Sequence, residues 1–141
     1  MWFIFAAFAA ILWGLNYALT EKILHGISSI TLLALEMFIG TIVFASISFF
    51  STMKEDLSLL ATNIELLWLT IIGVIIALMA NYFIFSSINL KNATTAGIIE
   101  LMYPLFTIIF TWYLYGQNHL TLSLFMGSLF IFIGVIIITL A

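Results

Sequence analysis

LLWLTIIGVIIALMANYFIFSSINL, residues 66–90, is an apolar run of 25 residues without a charged side chain. A helix of that length measures about 37 Å at 1.5 Å per residue, enough to cross the ~30 Å hydrocarbon core of a bilayer. Apolar residues occur all round its circumference, which leaves no face for water. The run is continuous and does not alternate with period two, so a spanning β-barrel is excluded. Just before it, Thr62-Asn63-Ile64-Glu65 reads as a capping box that opens the span. Just after it, Lys91-Asn92 is a tight turn with Asn92 as the N-cap of the next helix.

Four more spans follow outward from this one. Toward the C-terminus, a span covers about Ala93 to Tyr115, and Gly116-Gln117-Asn118-His119 breaks it. Another runs from about Leu120 to the end. Toward the N-terminus, polar residues cluster from Ser51 to Asn63, the only loop of any length. Its Leu57, Leu59 and Leu60 place it on the membrane surface. A span from Ser28 and Ser29, which can cap it, continues to Phe50. The first span runs from Trp2 to about Thr20 and ends at Glu21-Lys22, with Gly26 in the turn. Met1-Trp2-Phe3 enters apolar sequence without a basic region, so this segment is expected to stay in the protein rather than be cleaved as a signal peptide. The expected fold is an all-α integral membrane protein, a single bundle of five transmembrane helices over residues 1–141.

Composition agrees. Of 141 residues, 65% are hydrophobic and 6% are charged, against roughly a quarter charged in a soluble domain. Three lysines and six acids cannot form a nucleic-acid patch. Without cysteine there is no disulfide and no thiolate metal site. His25 and His119 fall in loops on opposite sides, so they share no metal. No nucleophile–base pair is evident, which argues against an enzyme, and no cofactor is implied.

An odd number of spans puts the termini on opposite sides. Side A holds the N-terminus, Lys54 and the loop at His119; side B holds Lys22, Lys91 and the C-terminus. Lysines and arginines near span ends favour the cytoplasm, and two against one is nearly a tie. Such a balance is what a chain that inserts in both orientations shows. The alternative is a fixed topology with side B cytoplasmic.

Glu36 and Glu100 are the ionisable groups well inside the apolar runs. A carboxylate in lipid costs several kcal/mol or is protonated, which makes each a candidate for proton or cation coupling. Both spans start from side B, and both acids lie about 11–12 Å below it, at one depth. The alternative role is structural, as hydrogen-bonded glue between helices. Around them, Ala96, Glu100, Tyr103, Pro104, Thr107 and Thr111 form one stripe at helical spacing. Pro104, the only proline, is expected to kink that helix and free a carbonyl beside Glu100. Trp13, Asn16, Tyr17 and Thr20 make a comparable stripe on the first span. Asn81 on the third, beside Gly73, Ala77, Ala80 and Tyr82, must find a partner or a wet cavity. The candidate solute-binding set is therefore Trp13, Asn16, Tyr17, Asn81, Tyr103 and Thr107. Gly127 and Gly134 mark the fifth span as packing.

Several short motifs fall in a telling order. Trp13-Gly14-Leu15-Asn16 followed by Lys22 resembles the opening of an EamA-like repeat of the drug/metabolite transporter superfamily. Asn89 through Ala96, then Tyr103-Pro104-Leu105-Phe106, is similar to that family's junction of third and fourth helices. Gly116 to Thr121, with Gly127 and Gly134-Val135, resembles its last hairpin. The resemblance implies a transporter moving small metabolites by alternating access, in which two such repeats of opposite orientation make ten helices. This chain supplies one, so a second, inverted copy of itself is the partner it implies, in the cell (inner) membrane. Departures are that Glu36 stands near a position where the family often has arginine, and Gln117 where it often has glutamate. The first-helix lysine is also displaced by about one residue. The four-helix small multidrug resistance proteins fit less well, because the first span has no acid before Glu21 and a fifth span is present. A second class of function is a non-transporting subunit, or one half of a heteromeric transporter.

Overall fold

A computed structural model describes residues 1–117 and 121–140. Seven helices appear among them: α1 (Trp2–Leu24), α2 (Ser29–Phe49), α3 (Met53–Thr62), α4 (Ile64–Leu90), α5 (Ala93–Glu100), α6 (Tyr103–Tyr115) and α7 (Leu122–Leu140). Five segments are long and apolar enough to cross a membrane, with α5 and α6 together forming the fourth. There is no strand among the described residues. The all-helical membrane fold read from the sequence is the one observed.

Local chemistry accounts for the boundaries, including those that differ from the sequence reading. Ser28 caps α2 by accepting from the Thr31 N–H at 3.2 Å, and Asn92 caps α5 by accepting from Thr95 at 2.7 Å. The expected capping box at Thr62 does not form. Asn63 is the cap, accepting from Leu66 at 3.0 Å, and the Thr62 hydroxyl donates backward to Ser58 and Leu59 carbonyls. Thr62 is already committed because the loop it ends is itself a helix, α3. Glu55 and Asp56 stand in the first turn of α3, where the helix dipole favours acids. Leu57 and Leu59 are exposed, as a helix lying on a bilayer surface requires.

The first span runs four residues past Thr20, to Leu24. Lys22 sits in its last turn, a favourable place for a cation, and Glu21 is drawn into a tertiary bond described below. The fourth span breaks at Leu101-Met102, where two i→i+3 bonds tighten the turn. Pro104 is the cause, since it has no N–H to give to the Glu100 carbonyl four residues back. Gly116 ends α6 at φ 64, the left-handed conformation that glycine adopts without penalty. The expected loop residues Asn118 and His119, and Leu120 at the expected start of the fifth span, lie outside the described residues.

Packing is uneven along the membrane normal. Leu24, Leu32, Phe85, Ile88, Ala93 and Ala96 form the core, with Tyr17, Leu33 and Ile84 packed against it. These residues come from the end of α1, the start of α2, the end of α4 and the start of α5, which all meet at side B. Toward side A the spans bury little, and residues 68–80 of α4 are exposed throughout. The chain exposes 11252 Å² for its 15.8 kDa, where a compact monomer of that mass exposes about 7,300 Å².

Candidate functional site

The inner face of α1 is legible as a stripe of lower exposure, Asn16, Tyr17, Thr20, Glu21 and Leu24. It packs on α5, which presents Ala93, Ala96, Gly97 and Glu100. Small residues let the two backbones approach. The approach is closest at Gly97, where a Cβ would stand 3.2 Å from Cδ2 of the Tyr17 ring. With its ring laid against Gly97, Tyr17 points its hydroxyl at the next turn of α5 and donates to Oε2 of Glu100. Tyr17 is the eighth residue from the side-B end of α1 and Glu100 the eighth of α5. The bond therefore lies about 10 Å along the helices from side B, within the hydrocarbon.

Trp13 packs edge-on against Tyr17, with ring centroids 5.5 Å apart at 61°. Below it, the Thr20 hydroxyl, almost wholly buried, donates to Asn16 at 3.4 Å. Glu100 is the last residue of α5, directly before the break that Pro104 imposes. Glu100, held by one phenol at a discontinuity of its helix, has a second carboxyl oxygen with no hydrogen-bond partner among the described residues. In a medium of low dielectric, that oxygen can take a proton or pair with an organic cation.

At the other end of the α1–α5 contact, Glu21 accepts a hydrogen bond from the Ala93 N–H at 2.7 Å. This carboxyl fills an orphan donor in the first turn of α5 and ties the two helix ends together at side B. The sequence reading took Glu21 only as the end of a span. It also passed over Gly97. The available signal was the spacing Ala93, Ala96, Gly97, Glu100, in which small residues precede an acid on one face.

The other expected site residues are distributed around this centre. Glu36 is the eighth residue of α2, level with Glu100. It shares a face with buried Leu32 and half-buried Leu33 and Gly40, and has no hydrogen-bond or ionic partner among the described residues. No bond joins it to Glu100. Asn81 donates to the carbonyl of Ala77 in its own helix at 2.9 Å, so that side chain satisfies one donor locally. Tyr103, Pro104, Thr107 and Thr111 line a groove of about 310 Å³ with Ile108 and Leu124. The expected single stripe from Ala96 to Thr111 is thus divided at the break. Ala96 is buried in the core, whereas Tyr103 and Thr107 are exposed. No group of three or more potential metal ligands occurs among the described residues.

One prediction follows from the close approach at Gly97. Gly97→Val places two further carbons where the Tyr17 ring lies, an overpacking of about 1–3 kcal/mol. A fall of several degrees in the thermal midpoint is expected in detergent, together with loss of solute-induced stabilisation. A midpoint equal to that of the parent would show that the ring moves freely and that the contact fixes nothing.

Residues 1–140 match the EamA-like transporter family. No curated protein and no solved structure matches the chain. The family match runs through every span described above, including the α5–α6 break and the acid that precedes it. The chain therefore belongs to the EamA-like transporter family, membrane transporters of the drug/metabolite superfamily.

Proposed function

We propose that the protein is a secondary transporter that moves a small metabolite across the cell membrane by alternating access. Its working form is an antiparallel homodimer, two five-helix repeats making ten helices around one cavity. Glu100 is the proton- or cation-coupling carboxyl, and Glu36 assists it. Trp13, Asn16, Tyr17, Asn81, Tyr103 and Thr107 contact the solute.

The observation that carries this reading is the Tyr17–Glu100 bond, a titratable carboxyl joined across helices at membrane depth. Support for the dimer comes from the surface, which exceeds that of a compact chain by roughly half. A second copy offers the inner faces near side A something to pack against. Inversion would place the two acid pairs a few ångströms on either side of the midplane, facing one cavity. Protonation of Glu100 in one state and pairing with an ammonium group in the other would couple the two fluxes.

The test uses the absence of cysteine in the chain. A single cysteine at Ser58, on α3 at side A, is reacted in intact cells with a membrane-impermeant maleimide. Comparable labelling from outside and, after permeabilisation, from inside is expected. Labelling from one side alone sinks the antiparallel homodimer. A thermal-shift panel of metabolites on the purified protein then reads the solute, and a purified complex containing a second polypeptide species would establish a heteromer instead.

A further inference from the structure

At side B, the start of α2 and the last turns of α4 border an open crevice of about 300 Å³, lined by Ser28, Ser29, Ile30, Tyr82, Ser86, Asn89 and Leu90. Five of those side chains are polar, in a chain that is 65% hydrophobic. Hydroxyls on the membrane helices commonly satisfy themselves by donating to a carbonyl four residues back, as Thr41, Ser46, Thr70, Thr107 and Thr139 do. The crevice residues do not. Ser29, Tyr82, Ser86 and Asn89 have no side-chain hydrogen bond among the described residues, although Ser29 is only 8% exposed. Tyr82 and Asn89 are exposed, Ser86 is half-buried and Ser29 is buried, so a ligand that gives partners to all four must enter the crevice rather than rest on its rim.

The backbone adds charge of both signs. The Ser29 and Ile30 N–H groups open α2 without an acceptor among the described residues, so its positive end faces the crevice. Asn89 and Leu90 close α4, whose last carbonyls give the negative end. An anionic group suits the first and an ammonium the second, and they stand in one crevice. Tyr82 lies eight residues before Leu90, about 12 Å down the helix, so the crevice runs from the head-group layer into the hydrocarbon. Its occupant must be polar above and apolar below, which Ile30 on the wall also favours.

We propose that this crevice binds a zwitterionic phospholipid of the phosphoethanolamine type. The phosphate accepts from the α2 N–H groups and Ser29, and the ammonium donates to Asn89, Ser86 and the α4 carbonyls. This site is separate from Glu100 and does not depend on what the protein transports.

The experiment is thermal unfolding of the whole delipidated protein in detergent with three additives. Dioleoyl phosphatidylethanolamine should raise the midpoint by about 4 °C, the scale of a modest binding free energy. Dioleoyl phosphatidylglycerol should raise it by less than half as much. Soluble glycerophosphoethanolamine, with the same head and no chains, should do little at the same concentration. Ser29→Ala with Asn89→Leu should abolish the response, while Ser46→Ala, whose hydroxyl is paired within its helix, should keep it. Should the double variant fail to fold, retention of the lipid by Ser86→Ala in native mass spectrometry replaces it, with a severalfold loss expected. Equal protection by the two lipids, or an undiminished response in the variants, overturns the proposal. Equal protection by glycerophosphoethanolamine assigns the crevice to a free zwitterion and overturns the lipid.

Discussion

Glu100→Gln should leave the protein folded and abolish the pH dependence of its transport. The amide keeps the shape of the carboxyl and can still accept from the Tyr17 hydroxyl, so the α1–α5 contact and the Gly97 approach survive. What it removes is the ability to titrate and to carry charge. A hydrogen bond to a charged group contributes about 1.5–3 kcal/mol, so uptake of the solute should fall about ten- to a hundredfold. Tyr17→Phe separates the two roles of that residue. The ring stays on Gly97 and beside Trp13, but Glu100 loses its donor, and transport should keep a pH dependence with an altered midpoint. Proteoliposomes assayed across pH 5–9 measure both. If Glu100→Gln transports normally with an unaltered profile, the carboxyl is structural glue and another group couples the fluxes. Glu36→Gln should act in the same direction with a smaller effect, since the family resemblance gives that position no acidic precedent.

Biasing the topology should stop transport outright. Lys54 is the one lysine at side A, against Lys22 and Lys91 at side B. Three lysines added beside Lys54, on the exposed face of α3, should hold side A in the cytoplasm in every copy. Inverted pairs would then be absent, and activity should drop to background even though each chain is folded. Coexpression with a second variant carrying three extra lysines next to Lys91 should restore it, because the two populations insert oppositely. Full activity of the singly biased protein would show that inverted pairing is unnecessary.

The spans were legible because uncharged runs such as residues 66–90 have only one low-energy environment. The caps at Ser28 and Asn92 were legible because each is a short polar side chain at the start of a span, able to accept from the first turn of the helix. The break after Glu100 followed from a missing N–H at Pro104. Thr62 was misassigned for a physical reason. Its hydroxyl was taken by carbonyls of a helix whose four-residue periodicity is hidden among polar residues. The centre of the site was half legible. Tyr17 and Glu100 each stood out as polar groups in apolar surroundings, but nothing local pairs two residues 83 positions apart. Gly97 and Glu21 act only through that pairing of helices, so neither could be read until α1 was seen against α5.

The uneven packing of the bundle, buried at side B and exposed toward side A, bears on directionality. In the proposed inverted pair, each face of the membrane would carry the buried end of one chain and the exposed end of the other. One sequence then serves as pivot on one face and as gate on the opposite face. The outward- and inward-open forms would be mirror roles of identical chains, equal in energy in a symmetric bilayer. Such a machine cannot rectify flux through its own structure. Its net direction would be set wholly by the gradients across it, and any substitution that slows opening on one face would slow opening on the other by the same factor.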